Sequence, residues 1–284
     1  MNRLADVVRF YALLDQLERR LGGARTLATF DRHRDWPQRG LYLFFEPSEM
    51  RLESGHGPRI VRVGTHALSA GSRSTLRQRL GQHRGLASGG GNHRGSIYRL
   101  LIGQALLARG DVAPCASWGV KGDAGKAALA LNISRDTLAA AEGPVELAVT
   151  KFISALPFLW LNINDQARPE SLRGIIERNA IALLSNYKRS AVDSPSPSWL
   201  GHYSDRPLVR ESGLWNQRHV EETYDPTFFK VFEEMIERTG GDQTEALQCL
   251  LLTQSGRAPL GSYVELEIAV GVGRRRETPR PFDF

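Results

Sequence analysis

Two short stretches decide the fold: Gly40-Leu41-Tyr42-Leu43-Phe44-Phe45-Glu46 and Arg59-Ile60-Val61-Arg62-Val63-Gly64. Both are rich in aromatic and branched residues that suit a pleated, half-buried surface. Pro47, Gly55, Gly57 and Pro58 lie between them, so they read as antiparallel neighbours joined by a long turn. Residues 74–83 then read as a short helix with Ser74 as N-cap, and a second helix covers about 96–109. A glycine-rich loop, residues 85–95, separates the two. Residues 110–143 read as irregular, with a short helix after Ser134, and complete an insertion over about 85–143. Pro144 suits the first turn of a helix over 144–156. Residues 157–163 read as a short buried strand, and 169–185 as a strong helix opened by Pro169.

On the N-terminal side, Leu4, Val7, Val8, Tyr11, Leu14, Leu17 and Leu21 recur at helical spacing and Gly22-Gly23 end the run. On the C-terminal side, residues 190–225 are loop-like. Asp225-Pro226 opens a helix that runs to Gly240-Gly241. A short helix at 243–252, an alternating strand at 262–272 and a tail after Arg274 follow. The expected class is α/β: a small central three-stranded, mainly antiparallel sheet flanked by helices, with an N-terminal helix and a C-terminal α/β extension. The expected division is 1–39 as lead-in, 40–190 as core and 191–284 as an extension packed on it.

The 284 residues are 41% hydrophobic and 24% charged, which excludes a mostly disordered chain. No apolar run reaches the roughly 18–20 residues of a membrane span. The N-terminus lacks the apolar core of a signal peptide, and two cysteines make neither a disulfide framework nor a cysteine-based zinc site. A cytoplasmic protein is expected. The net charge is +6, yet residues 1–110 hold 18 cations, all arginine, against 8 acids, while the remainder is net negative. With 32 Arg and 5 Lys in the chain, a general bias explains Arg over Lys. It does not explain the clustering, which points to a polyanion, nucleic acid first.

Several residues on these elements can carry chemistry. Arg79 and His83 are four apart, on one helix face. Glu177 sits among Ile175, Ile176, Ala180 and Ile181, where a carboxylate needs a partner. That partner is either an arginine, Arg173 or Arg178, or a divalent cation. Tyr42 either packs with its hydroxyl reaching water or takes part in a reaction.

The order strand, strand, helix, insertion, helix, strand, helix, with Gly40-Leu41-Tyr42 on the first strand and Arg62-Val63-Gly64 on the second, resembles the GIY-YIG nuclease superfamily. The resemblance covers residues 40–186. It implies a divalent-metal-dependent endonuclease that hydrolyses DNA phosphodiester bonds. Tyr42 would orient the attacking water, and Arg79 would offset charge building up at phosphorus. His83 would orient the nucleophile or pass a proton. Glu177 would hold Mg²⁺ or Mn²⁺, because a lone carboxylate completed by waters and phosphate oxygens suits such a hard ion. Asn186 would hold local geometry or cap its helix. The second signature normally carries tyrosine where this chain has Arg62. Arginine does not readily lose a proton, so Arg62 reads as a phosphate ligand and His66 as a secondary candidate for the base.

Outside that core, Asn92, His93 and Arg94 in the glycine loop read as a phosphate clamp, with Arg77 and Arg84 as further nucleic-acid contacts. The stretch from Ser212 to Val220 reads either as a base-contacting surface or as a core cover with Trp215 buried. DNA is the expected partner, in restriction or defence. A silent nucleic-acid-binding scaffold and a nuclease of RNA or single strands are the alternatives. Two-strand cutting with one site per chain favours a homodimer.

Overall fold

A computed structural model describes residues 2–29, 36–86 and 88–240. The expected helix at 243–252, strand at 262–272 and tail lie outside the described residues. Helix α1 (Arg3–Leu21) opens on Asn2, whose side chain accepts from the Ala5 N–H, and closes on Gly22 at φ 70°. Strands β1 (Arg25–Thr26), β2 (Gly40–Met50), β3 (Pro58–Gly64) and β4 (Pro157–Asn162) form one antiparallel sheet in the order β1-β4-β2-β3. The sheet therefore has one strand more than the sequence suggested, a two-residue edge too short to carry an alternating pattern.

Register places Gly40 opposite Asn162, and Tyr42 between Trp160 and Gly64. Both signature glycines have a steric reason. A Cβ on Gly40 would land on the Leu161 carbonyl oxygen, and one on Gly64 would lie 2.5 Å from Tyr42 Cζ. Directly paired residues share a face, so Tyr42, Phe44, Arg62 and Gly64 point to one side. There they meet His83 of α2 (Leu76–Arg84) and Tyr98 of α3 (Ile97–Arg109), with ring centroids 5.3–5.6 Å apart between Tyr42 and His83, Phe44 and Tyr98, and His83 and Tyr98. Helices α6 (Leu172–Leu184), α1 and α8 (Phe228–Glu237) complete the core, α6 against β2 and β3 and the other two against β4.

Three boundaries differ from expectation. Helix α2 is capped by Thr75, not Ser74, through a reciprocal box with Gln78. Residues 110–143 are not irregular throughout: α4 spans Ala124–Ala130, and α5 (Arg135–Ala155) runs straight through Pro144. Gly143 has no Cβ to clash with the proline ring, so the residue before proline stays helical. The buried stripe of α5 includes Glu142 and Glu146, and carboxylates at core positions disguise the helical period. Between residues 190 and 225, a 3-10 turn (Leu200–Tyr203) and α7 (Pro207–Ser212) interrupt the loop.

Candidate active site

β3 is an edge strand, and edge backbone needs a partner. Residues 214–216 supply it. The Trp215 N–H donates to Val61 O at 2.7 Å, while the Asn216 side chain accepts from Val63 N–H at 3.2 Å and donates to Val63 O at 2.8 Å. Trp215 is fully buried. The continuation, Gln217, Arg218 and His219, forms one wall of a cleft of about 670 Å³. Residues 212–220 thus both cover the core and face the cleft.

Arg62, His66, Arg79 and Glu177 line this same cleft. They come from β3, the turn after it, α2 and α6. Arg62 is 7% exposed; its Nη1 donates to Trp215 O and its Nε has no partner among the described residues. Arg79 donates to Gln82 Oε1 at 3.0 Å, and its buried Nε also lacks a partner among the described residues, as does Gln217 Nε2. Three residues of this one cleft thus each hold a buried N–H donor that has no acceptor among the described residues, and two of them are arginines that suit an anion.

Glu177 is half-buried. Its Oε1 accepts from the Thr65 N–H at 3.0 Å, and no hydrogen bond to its second oxygen occurs among the described residues. Loss of solvation pushes its carboxyl up, opposed by Arg62 and by the Thr65 N–H. Arg173, the alternative partner one helical turn earlier, is committed elsewhere. It pairs with Asp165 and donates to His66 O (3.1 Å) and Ala67 O (2.7 Å), which fixes the turn that carries His66. His66 Nδ1 bonds Ser74 O at 3.1 Å, and Nε2 has no partner among the described residues. Burial, then the Arg173 charge, depress its pKa to about 4. At neutral pH the ring is therefore uncharged, with Nδ1–H donating and Nε2 an acceptor.

His219 was missed as a site residue. It has φ 66°, a conformation uncommon outside glycine. Its Nδ1 lies 2.7 Å from Glu222 Oε1, and its Nε2, on a residue that lines the cleft, makes no hydrogen bond among the described residues. The departure from ordinary backbone was invisible in sequence; the signal was the polar run Asn216 to His219 after a buried Trp.

Other expected residues lie apart. Tyr42 and His83 are fully buried and do not line the cleft. Tyr42 Oη bonds His83 Nε2 at 2.8 Å, and His83 Nδ1 bonds Ser96 Oγ at 2.8 Å. Both imidazole nitrogens are used, and burial followed by the Arg79, Arg62 and Arg99 charges holds the ring neutral. Asn186 belongs to neither group: its Oδ1 accepts from Arg3 and from Val192 N, and its Nδ2 donates to Val192 O. The clamp expected from the glycine loop is not assembled. Arg94 is ion-paired to Glu142 at 2.6 Å, and His93 is buried against Glu146 and stacked on Trp118 at 3.9 Å. Asn92 caps the turn His93–Gly95. Arg77 is exposed and Arg84 half-buried, and neither is bonded among the described residues.

A family model described as GIY-YIG domain matches residues 1–242. The chain belongs to the GIY-YIG family. The match extends beyond residues 40–186 to take in α1 and the segment that walls the cleft. No curated protein and no solved structure matches the chain. GIY-YIG is a nuclease family, which acts on nucleic acid and generally uses divalent metals. No helix among the described residues is long and apolar enough to cross a membrane.

Proposed function

We propose that this GIY-YIG protein is an endonuclease that hydrolyses DNA phosphodiester bonds in the cleft at the end of β3. The observation that carries this reading is that Arg62, Arg79 and Gln217, each with a donor that has no acceptor among the described residues, line one cleft with Glu177. The donors fit non-bridging phosphate oxygens and offset charge as it develops at phosphorus. No group of three or more His, Cys, Asp or Glu suited to a metal occurs among the described residues. A single carboxylate with an oxygen to spare fits Mg²⁺ or Mn²⁺, which retain waters and take phosphate oxygens. Bound at Glu177, such an ion supplies Lewis-acid stabilisation of the phosphoryl group.

The chain's own residues then divide the work. Arg62 occupies the usual tyrosine position and binds phosphate. His66 Nε2, an uncharged acceptor, orients the water. His219, with Nδ1 held by Glu222, takes the proton. Tyr42, joined to His83 and Ser96, supports the strand end from behind.

One observation favours the silent-scaffold alternative: the phenol that the family places at the nucleophile is buried here. The test is incubation of supercoiled plasmid, single-stranded DNA and RNA with Mg²⁺, with an EDTA control and Glu177→Ala. Metal-dependent cutting lost in the variant supports the enzyme, and the substrate cut separates DNA from RNA. Salt-sensitive binding without cutting supports the silent scaffold. Restriction or defence rests on analogy of fold; its test is reduced plating of phage on cells carrying the wild type and restored plating with Glu177→Ala. The homodimer rests on the need to cut two strands, and sedimentation with and without DNA checks it.

A further inference from the structure

Next to the cleft, sharing Ser74 and Gln82 with it, runs a groove of about 720 Å³ between α2 and the glycine loop. Among the described residues no charged side chain lines it, although Arg79 beside it donates to Gln82 Oε1 and to Gly95 O, both of lining residues. Its polar side chains are Ser74 and three amides: Gln78, Gln82 and Asn92. The oxygen of each amide is already engaged. Gln78 Oε1 accepts from Thr75 N–H, Gln82 Oε1 from Arg79, and Asn92 Oδ1 from Arg94 N–H. The three NH₂ groups make no hydrogen bond among the described residues, so the amides offer neutral donors.

Four glycines line the groove, and they differ in kind. Gly85 and Gly91 are required by packing, since a Cβ would strike Gly90 O and the Arg99 guanidinium respectively. Gly81 and Gly95 are not. A Cβ at either would meet nothing within 4 Å, and neither has positive φ. Gly81 lies inside α2, where glycine is less stable than alanine. Nothing in the packing or the backbone accounts for it. What the two share is the groove they line.

We propose that this groove is a subsite for one nucleobase, adjoining the phosphate held in the cleft. Glycine keeps its floor flat for a planar ring. The absence of charge sorts the neutral base from the anionic backbone, which goes to the arginines beside it. The free amide NH₂ groups favour a base edge made of acceptors: guanine first, with O6 and N7, then thymine. Adenine and cytosine present amino donors to these groups. The inference rests on the nuclease reading for the phosphate in the cleft.

The test is anisotropy binding, in EDTA, of single strands of abasic nucleotides that carry one dG, dT, dA or dC. The wild type is expected to bind the dG strand about tenfold tighter than the fully abasic strand. Gly81→Leu and Gly95→Leu are each expected to erase that preference while binding the abasic strand as the wild type does. Two Leu variants guard against one failing to fold. Gly81→Ala is expected to raise the melting temperature, and a fall would remove the argument from that glycine. Equal binding of all strands by a wild type that cuts nucleic acid refutes the groove alone, as does a preference that survives in a folded Leu variant. A wild type that neither binds nor cuts any strand refutes both readings.

Discussion

Tyr42→Phe separates a buried structural phenol from a catalytic one. The hydroxyl is enclosed, 2.8 Å from His83 Nε2, and His83 is fully buried with its other nitrogen on Ser96. Deleting it leaves one imidazole nitrogen without a partner where water does not reach. An unsatisfied buried polar group costs about 1–3 kcal/mol. For a domain of this size each kcal/mol moves the melting point by roughly 2–4 °C, so a fall of about 2–12 °C is expected. The phenyl ring keeps the packing against Gly64 and Phe44, so the cleft retains its shape. Cleavage measured under single turnover, well below the melting transition, should stay within about tenfold of wild type. His83→Ala should destabilise further, because it also empties a ring-sized space. The refuting result is a loss of about 10³-fold or more in cleavage with melting unchanged. That would put the Tyr42 hydroxyl in contact with the nucleophile and place the reacting centre on the other side of Gly64.

Burial, followed by repulsion from Glu49, pushes the carboxyl of Glu46 from 4.5 up to about 7. The folded state therefore holds a proton that the unfolded state has released, and stability falls as pH rises from about 4.5 to 7. The penalty above that window is on the order of 3 kcal/mol. Glu46→Gln should flatten chemical denaturation across that range and stabilise the protein at pH 8; an unchanged slope contradicts this. Arg94→Ala should cost about 3 kcal/mol by stranding the largely buried Glu142, while DNA affinity stays near wild type in a binding titration. A large loss of affinity at full stability would restore the loop as a phosphate clamp. Arg79→Ala should lower the slope of log affinity against log salt by about one. Glu222→Gln should shift the pH–rate profile of cleavage without altering DNA affinity, because it changes only the partner of His219.

The sheet and its covering helices were largely readable. The β-forming runs at residues 40–46 and 59–64, with the prolines and glycines between them, set the hairpin; helical spacing in residues 4–21 set α1, and the helix read over 169–185 contains α6. The cleft residues Arg62, His66, Arg79 and Glu177 were readable too, because local order fixes which ends of which elements they occupy. What failed depended on distant partners. Glu142 and Glu146 disguised a helix stripe because Arg94 and Arg99 satisfy them from another element. The same pairing removes Arg94 from the glycine loop's exposed surface. Asn186 holds local geometry away from the cleft, through Arg3, far away in sequence, and through Val192. Gln217 and His219 reach the cleft only because Trp215 and Asn216 pair with the open edge of β3, a contact that no local pattern announces.

The central claim is that Glu177 and the arginine-lined cleft cut a phosphodiester bond. It is tested most directly by measuring single-turnover cleavage and DNA affinity together for wild type and Glu177→Gln, with Mg²⁺ present. The account predicts a rate at least about 10²-fold lower in the variant and an affinity within a few-fold of wild type. Cleavage at the wild-type rate in Glu177→Gln would contradict it and move the reacting centre out of this cleft.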